Sequence, residues 1–97
     1  MHKKENMKQE ELKKLLTSWG YEDAVLFENP TYCDAVIGIS ENGQVAYSYN
    51  KMVKHLMNED NMTEEEAIEF IDYNTIRALP YVSGNTRPIV IYDDYFE

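Results

Sequence analysis

Long apolar runs are missing from this chain. No stretch approaches the roughly 18 residues of a membrane-spanning helix. The opening MHKKENMKQEELKK also lacks the apolar core of a signal peptide. Cysteine is nearly absent: Cys33 stands alone, so no disulfide forms within the chain. These two features together suit a cytoplasmic setting. The four glycines, Gly20, Gly38, Gly43 and Gly84, are scattered, so no glycine-rich phosphate loop is present. Positive charge is scarce. Nine Lys and Arg face eighteen Asp and Glu, for a net charge of −9. The imbalance is uneven: residues 1–14 hold five Lys and three acids, and residues 15–97 hold four Lys/Arg and fifteen acids. Such a field disfavours nucleic acid and anionic membrane as direct partners. It favours a protein partner with a basic surface, or serves solubility alone.

What is present describes a folded domain. Ninety-seven residues with 43% apolar and 12% aromatic content suit one domain with a modest core. That domain is set at 8–97, after a flexible lead-in over 1–7. Eight Tyr against three Phe suit half-buried sheet positions and contact surfaces.

The strongest local signal is TEEEAIEFIDYNTIRALPY, Thr63–Tyr81. Thr63 with Glu66 forms a capping box, and three acids in the first turn suit the positive end of the helix dipole. At about 100° per residue, Ala67, Ile68, Ile71, Thr75, Ala78 and Leu79 share one stripe. Pro80 ends the helix.

Upstream, Leu12, Leu15, Leu16 and Trp19 mark a helix over Gln9–Trp19, closed by Gly20. Ala24–Phe27 reads as an edge strand or a buried loop segment. Cys33–Ser40 reads as a strand, with Cys33, Ala35, Ile37 and Ile39 on one face. Asn42-Gly43 signals a hairpin returning through Val45–Tyr49. Ser48 or Asn50 caps a helix over Lys51–Glu59, with Met52, Val53, Leu56 and Met57 as its stripe. A short link, Asn58–Met62, makes an αα-hairpin with the helix that follows. Ser83-Gly84-Asn85 marks a turn, Pro88–Tyr92 a last strand, and Asp93–Glu97 an acidic tail. The order is α-β-β-α-α-β. It predicts an α+β fold: a small antiparallel or mixed sheet of three to four strands with helices packed on one face.

Two residue sets stand out as candidate surfaces. Glu59, Asp60, Glu64, Glu65 and Glu69 form an acidic face around the helix junction. The regular ligand offsets and the glycine of a calcium loop are missing there, so no metal or cofactor is expected. Tyr73, Asn74, Arg77 and Tyr81 form the other set, with Tyr73 and Arg77 spaced for a cation–π pair. Cys33 reads as a small buried hydrophobe. His55 projects from the polar side of its helix, where it meets water. Together they make no nucleophile relay.

The segments DAVIGIS, MTEEEAIEFIDYNTIRALPY and PIVIY resemble a group of uncharacterised small acidic proteins from phages, mobile elements and genomes of Firmicutes. A phage setting implies a host-directed inhibitor of the anti-CRISPR or other anti-defence kind. The leading expectation is therefore a non-enzymatic protein whose acidic surface occupies a basic site on a nucleic-acid-handling enzyme. A small-ligand binder using the Tyr73/Asn74/Arg77/Tyr81 surface and a homodimeric structural adaptor stand as alternatives.

Overall fold

The computed structural model describes residues 8–82 and 86–93. The lead-in over 1–7, the Ser83-Gly84-Asn85 turn and tail residues 94–97 lie outside them. Helix α1 spans Gln9–Ser18, β1 Val36–Ile39, β2 Val45–Ser48, α2 Tyr49–Glu59, α3 Glu64–Phe70 and β3 Ile89–Ile91. The α+β class and the α-β-β-α-α-β order are as the sequence reading expects. The sheet is mixed, in the order β1-β2-β3. β1 pairs antiparallel with β2. β3 runs parallel to β2, with Ala46 opposite Ile89 and Ser48 opposite Ile91. The hairpin strand joined by β3 is thus the second.

Helix α1 stops at a Schellman motif. Gly20 takes φ +89, Tyr21 N–H donates to Leu16 O at 2.7 Å and Gly20 N–H to Thr17 O at 3.0 Å. Leu12 and Leu16 enter the core, whereas Trp19 is 57% exposed. Trp19 lies on the C-cap, where the chain has already left the helical stripe.

The long strand expected from Cys33 is shorter. Cys33–Ala35 is a 3-10 turn, entered through Tyr32 at φ +51. A bulge between Val36 and Gly38 then breaks the alternation, because Val36 faces Tyr47 and Gly38 faces Ala46. Val36 and Ile39 therefore pack on the core, and Ile37 is 47% exposed. The hairpin loop has three residues, Glu41-Asn42-Gly43. Gly43 N–H donates to Ser40 O, Ser40 N–H to Gln44 O, and Gly43 takes φ +85. This is a turn with a glycine bulge, not the two-residue Asn-Gly turn. A Cβ at Gly43 would also stand 3.2 Å from the Tyr21 ring.

Ala24–Phe27 is a loop tied to the sheet end by Val25 N–H to Thr86 O, which settles that choice against a strand. Tyr49 opens α2 instead of closing β2, and Ser48 is the cap, accepting the Lys51 N–H at 3.0 Å. The core gathers Leu12 and Leu16 of α1, Val45 and Tyr47 of β2, Met52 and Leu56 of α2, and Ala67 and Ile71 beyond them. Each fully buried Leu, Met or Ile contributes about 1.5–3 kcal/mol.

The capping box of α3 forms as expected: Glu66 N–H donates to Thr63 Oγ1 at 3.1 Å, and Thr63 N–H to Glu66 Oε1 at 2.9 Å. The long helix is not uniform. From Ile71 to Ile76 it widens into a π-helical turn, with Arg77 N–H reaching back five residues to Asp72 O at 3.2 Å. The wider turn advances the inward stripe. Ile71 and Thr75 stay buried and Ile76 packs on the core, but Ala78 swings out to solvent. Pro80 sits in a closing 3-10 turn over Leu79–Tyr81.

Candidate functional site

The two candidate surfaces meet along α3 and its π-helical extension. A cleft of about 760 Å³ is lined by Met62, Glu66, Glu69, Phe70, Asp72, Tyr73 and Asn74. Met62 and Phe70 are half-buried and give it an apolar base; the three acids are exposed and ring it. Glu66, Glu69 and Tyr73 share one helical face at spacings of three and four. The π turn sets the next part: Tyr73 and Asn74 belong to it, and the Asn74 amide donates to Phe70 O at 3.2 Å. Asp72 is held from below, because the Tyr49 hydroxyl donates to its Oδ1 at 3.1 Å.

The structure thus brings Glu69 of the acidic set together with Tyr73 and Asn74 of the other set. Arg77 stacks over the Tyr73 ring, 4.8 Å from its centroid, and so braces the cleft wall. Tyr81 is 87% exposed but does not line the cleft. Glu64 and Glu65 are exposed on the first turn of α3, and Glu59 and Asp60 at the end of α2. Burial, foremost, raises the pKa of the Tyr32 hydroxyl, and the Asp60 charge adds to that rise.

Sequence reasoning singled out Asp72 beside Tyr73 and Asn74 but missed Met62 and Phe70. Met62 and Phe70 lie off the inward stripe, and a large hydrophobe off-stripe beside acids was the available signal.

His55 requires a correction. It does not face water: Nδ1 lies 3.0 and 3.1 Å from the two Asp34 carboxylate oxygens, and the ring meets Tyr32 edge-on at 5.6 Å. The 3-10 turn carries Asp34 across to α2, which no helical projection reveals. Cys33 is buried; its thiol donates to Gln9 Oε1 at 2.9 Å, and Thr31 Oγ1 lies 3.3 Å from the same sulfur. Cys33 and His55 therefore spend their polar contacts on different partners. Among the described residues no group of three His, Cys, Asp or Glu side chains is arranged to hold a metal ion. No described helix is long and apolar enough to cross a membrane.

No protein-family model, curated protein or solved structure matches the chain.

Proposed function

We propose that this chain is a non-enzymatic accessory protein that occupies a basic site on a nucleic-acid-handling enzyme, in the manner of an anti-defence inhibitor. The observation that carries this reading is the acid-ringed apolar cleft on α3. Glu66, Glu69 and Asp72 supply negative charge around Met62 and Phe70, so the cleft suits a Lys- or Arg-rich segment that also inserts an apolar anchor. Carboxylates on a helix hold their spacing, which a stand-in for phosphates requires. Electrostatic complementarity then sets the choice of partner, and the apolar base adds contact area.

Affinity capture from a host lysate tests this. The bait is the wild-type chain beside a Glu65→Lys/Glu69→Lys variant, both checked for native circular dichroism. The expected result is a nucleic-acid-handling enzyme retained by the first, lost by the second, released as salt rises, and displaced by nucleic acid. Equal, salt-independent retention by both would overturn the reading.

A further inference from the structure

The charge around the α3 cleft is left without a counter-cation. Between Lys54 and Arg87 the only basic residue besides His55 is Arg77. Arg77 pairs with no carboxylate among the described residues. Its guanidinium stacks on the Tyr73 ring, 4.8 Å from the centroid. Glu66, Glu69 and Asp72 thus make no ion pair among the described residues, where His55 with Asp34 is the pair that forms. Acids alone would mark only a solvated helix face. Here they ring the apolar base of Met62 and Phe70, in a cleft of about 760 Å³.

Two of the three carboxylates are already held in place. Glu66 Oε1 accepts the Thr63 N–H at 2.9 Å, and Asp72 Oδ1 accepts the Tyr49 hydroxyl proton at 3.1 Å. The second oxygen of each, and both oxygens of Glu69, meet no donor among the described residues. Tyr73 stays 70% exposed despite its Arg77 partner, so one guanidinium does not use up the ring. Tyr73 also stands on the π-helical turn that starts at Ile71, a form that recurs at functional sites.

We propose that the cleft takes an arginine side chain, and not a lysine, from an exposed segment of a protein partner. This inference rests on the reading of the cleft as the seat of a basic partner. Charge complementarity calls for a cation, and three properties of the cleft select arginine. A guanidinium is planar, so it lies flat on an aromatic wall, as Arg77 already does on Tyr73. Its forked N–H donors reach two carboxylates at once, and Glu66 and Glu69 stand three residues apart on one helical face. It is also more weakly hydrated than an ammonium, so resting over Met62 and Phe70 costs it less. A lysine answers the charge and none of these. Arginine is also the side chain that grips phosphate in bidentate fashion. A segment that gives its arginine to this cleft is therefore one that would otherwise hold nucleic acid.

Titration of the ¹⁵N-labelled chain with two end-capped peptides, Leu-Arg-Arg-Leu and Leu-Lys-Lys-Leu, followed by amide NMR shifts, tests the proposal. The arginine peptide should move the signals of Glu69, Phe70 and Tyr73 saturably and bind about tenfold more tightly than the lysine peptide. Tyr73→Leu, at an exposed position, should bring the two peptides to within about twofold of each other while the fold holds. Glu69→Gln should weaken both peptides. Equal binding of the two peptides by the wild-type chain overturns the choice of arginine and leaves the basic-partner reading standing. An undiminished preference in a folded Tyr73→Leu overturns it in the same way. Saturable binding of neither peptide, or binding that Glu69→Gln leaves unchanged, overturns both. If Tyr73→Leu does not fold, the comparison of the two peptides on the wild-type chain decides alone.

Discussion

The Ser48 hydroxyl donates to Asp93 Oδ2 at 2.6 Å across 45 residues of chain. Ser48 Oγ in turn accepts the Lys51 N–H that starts α2, and Asp93 Oδ1 accepts the Asn50 N–H at 3.1 Å. One buried serine thus ties the exit of β2, the start of α2 and the end of β3.

The Ser48 hydroxyl, foremost, holds the Asp93 carboxyl below its ordinary 3.8, with Asn50 N–H and the Lys51 charge adding to the effect. A carboxylate whose folded pKa is depressed contributes stability that is present above its unfolded value and lost as pH falls through the folded one. Urea midpoints measured from neutral pH down through and below 3.8 should therefore drop less steeply for Asp93→Asn than for wild type. Parallel acid limbs would remove Asp93 from the account.

At the alkaline end, burial pushes Tyr47 up to about 12, its hydroxyl accepting the Phe27 N–H at 3.2 Å. Tyr32 is raised as well. A raised tyrosine contributes stability that is complete below the unfolded value of 10.0 and lost as pH climbs toward 12. Alkaline unfolding should begin near 10.0 and be relieved in part by Tyr47→Phe. The pH dependence of the denaturant midpoint decides it; an unchanged profile in the variant would count against Tyr47.

Ile71 is fully buried at the start of the π-helical turn. Ile71→Ala should cost about 2–5 kcal/mol, from lost transfer energy and the cavity left behind. Lys51→Ala, on the exposed face of α2, should change stability by roughly 0.5 kcal/mol or less. Chemical denaturation of the two variants side by side is the check, and comparable losses would mean that the helix faces are misassigned.

Inside the fold the Cys33 thiol donates to Gln9 and lies against the Thr31 hydroxyl. A thiol reagent should label it slowly in the native chain and quickly in denaturant. Fast native labelling would contradict this packing.

Where residue type and period agree, the fold was readable from the chain alone. The Thr63/Glu66 box, the Leu12/Leu16 pair, the Gly20 stop and the Asn42-Gly43 reversal each rest on local chemistry. Three features were hidden. The bulge that turns Ile37 outward and the π turn that turns Ala78 outward each break a regular period, and a fixed-period projection assumes neither. The third is the pairing of Asp34 with His55, set by a left-handed Tyr32 that no residue preference announces. The candidate site was half visible. Glu69, Tyr73 and Asn74 were singled out from sequence, but in separate sets. Their shared cleft also takes Met62 from the link of the αα-hairpin and Phe70 from the end of α3, which a single-helix projection does not bring together.

The parallel pairing of β3 with β2 bears on how the chain is made. A ribosome releases β2 long before the strand that covers its second edge. During that interval β1 can already pair with one edge of β2, yet the other edge still presents unpaired amides and carbonyls. Synthesis halted before Ile89 would leave a hairpin able to capture any extended segment nearby, including the same hairpin on a neighbouring polysome. The three residues of β3 therefore act as a late seal, and messages truncated just upstream of them should yield aggregates, not monomers.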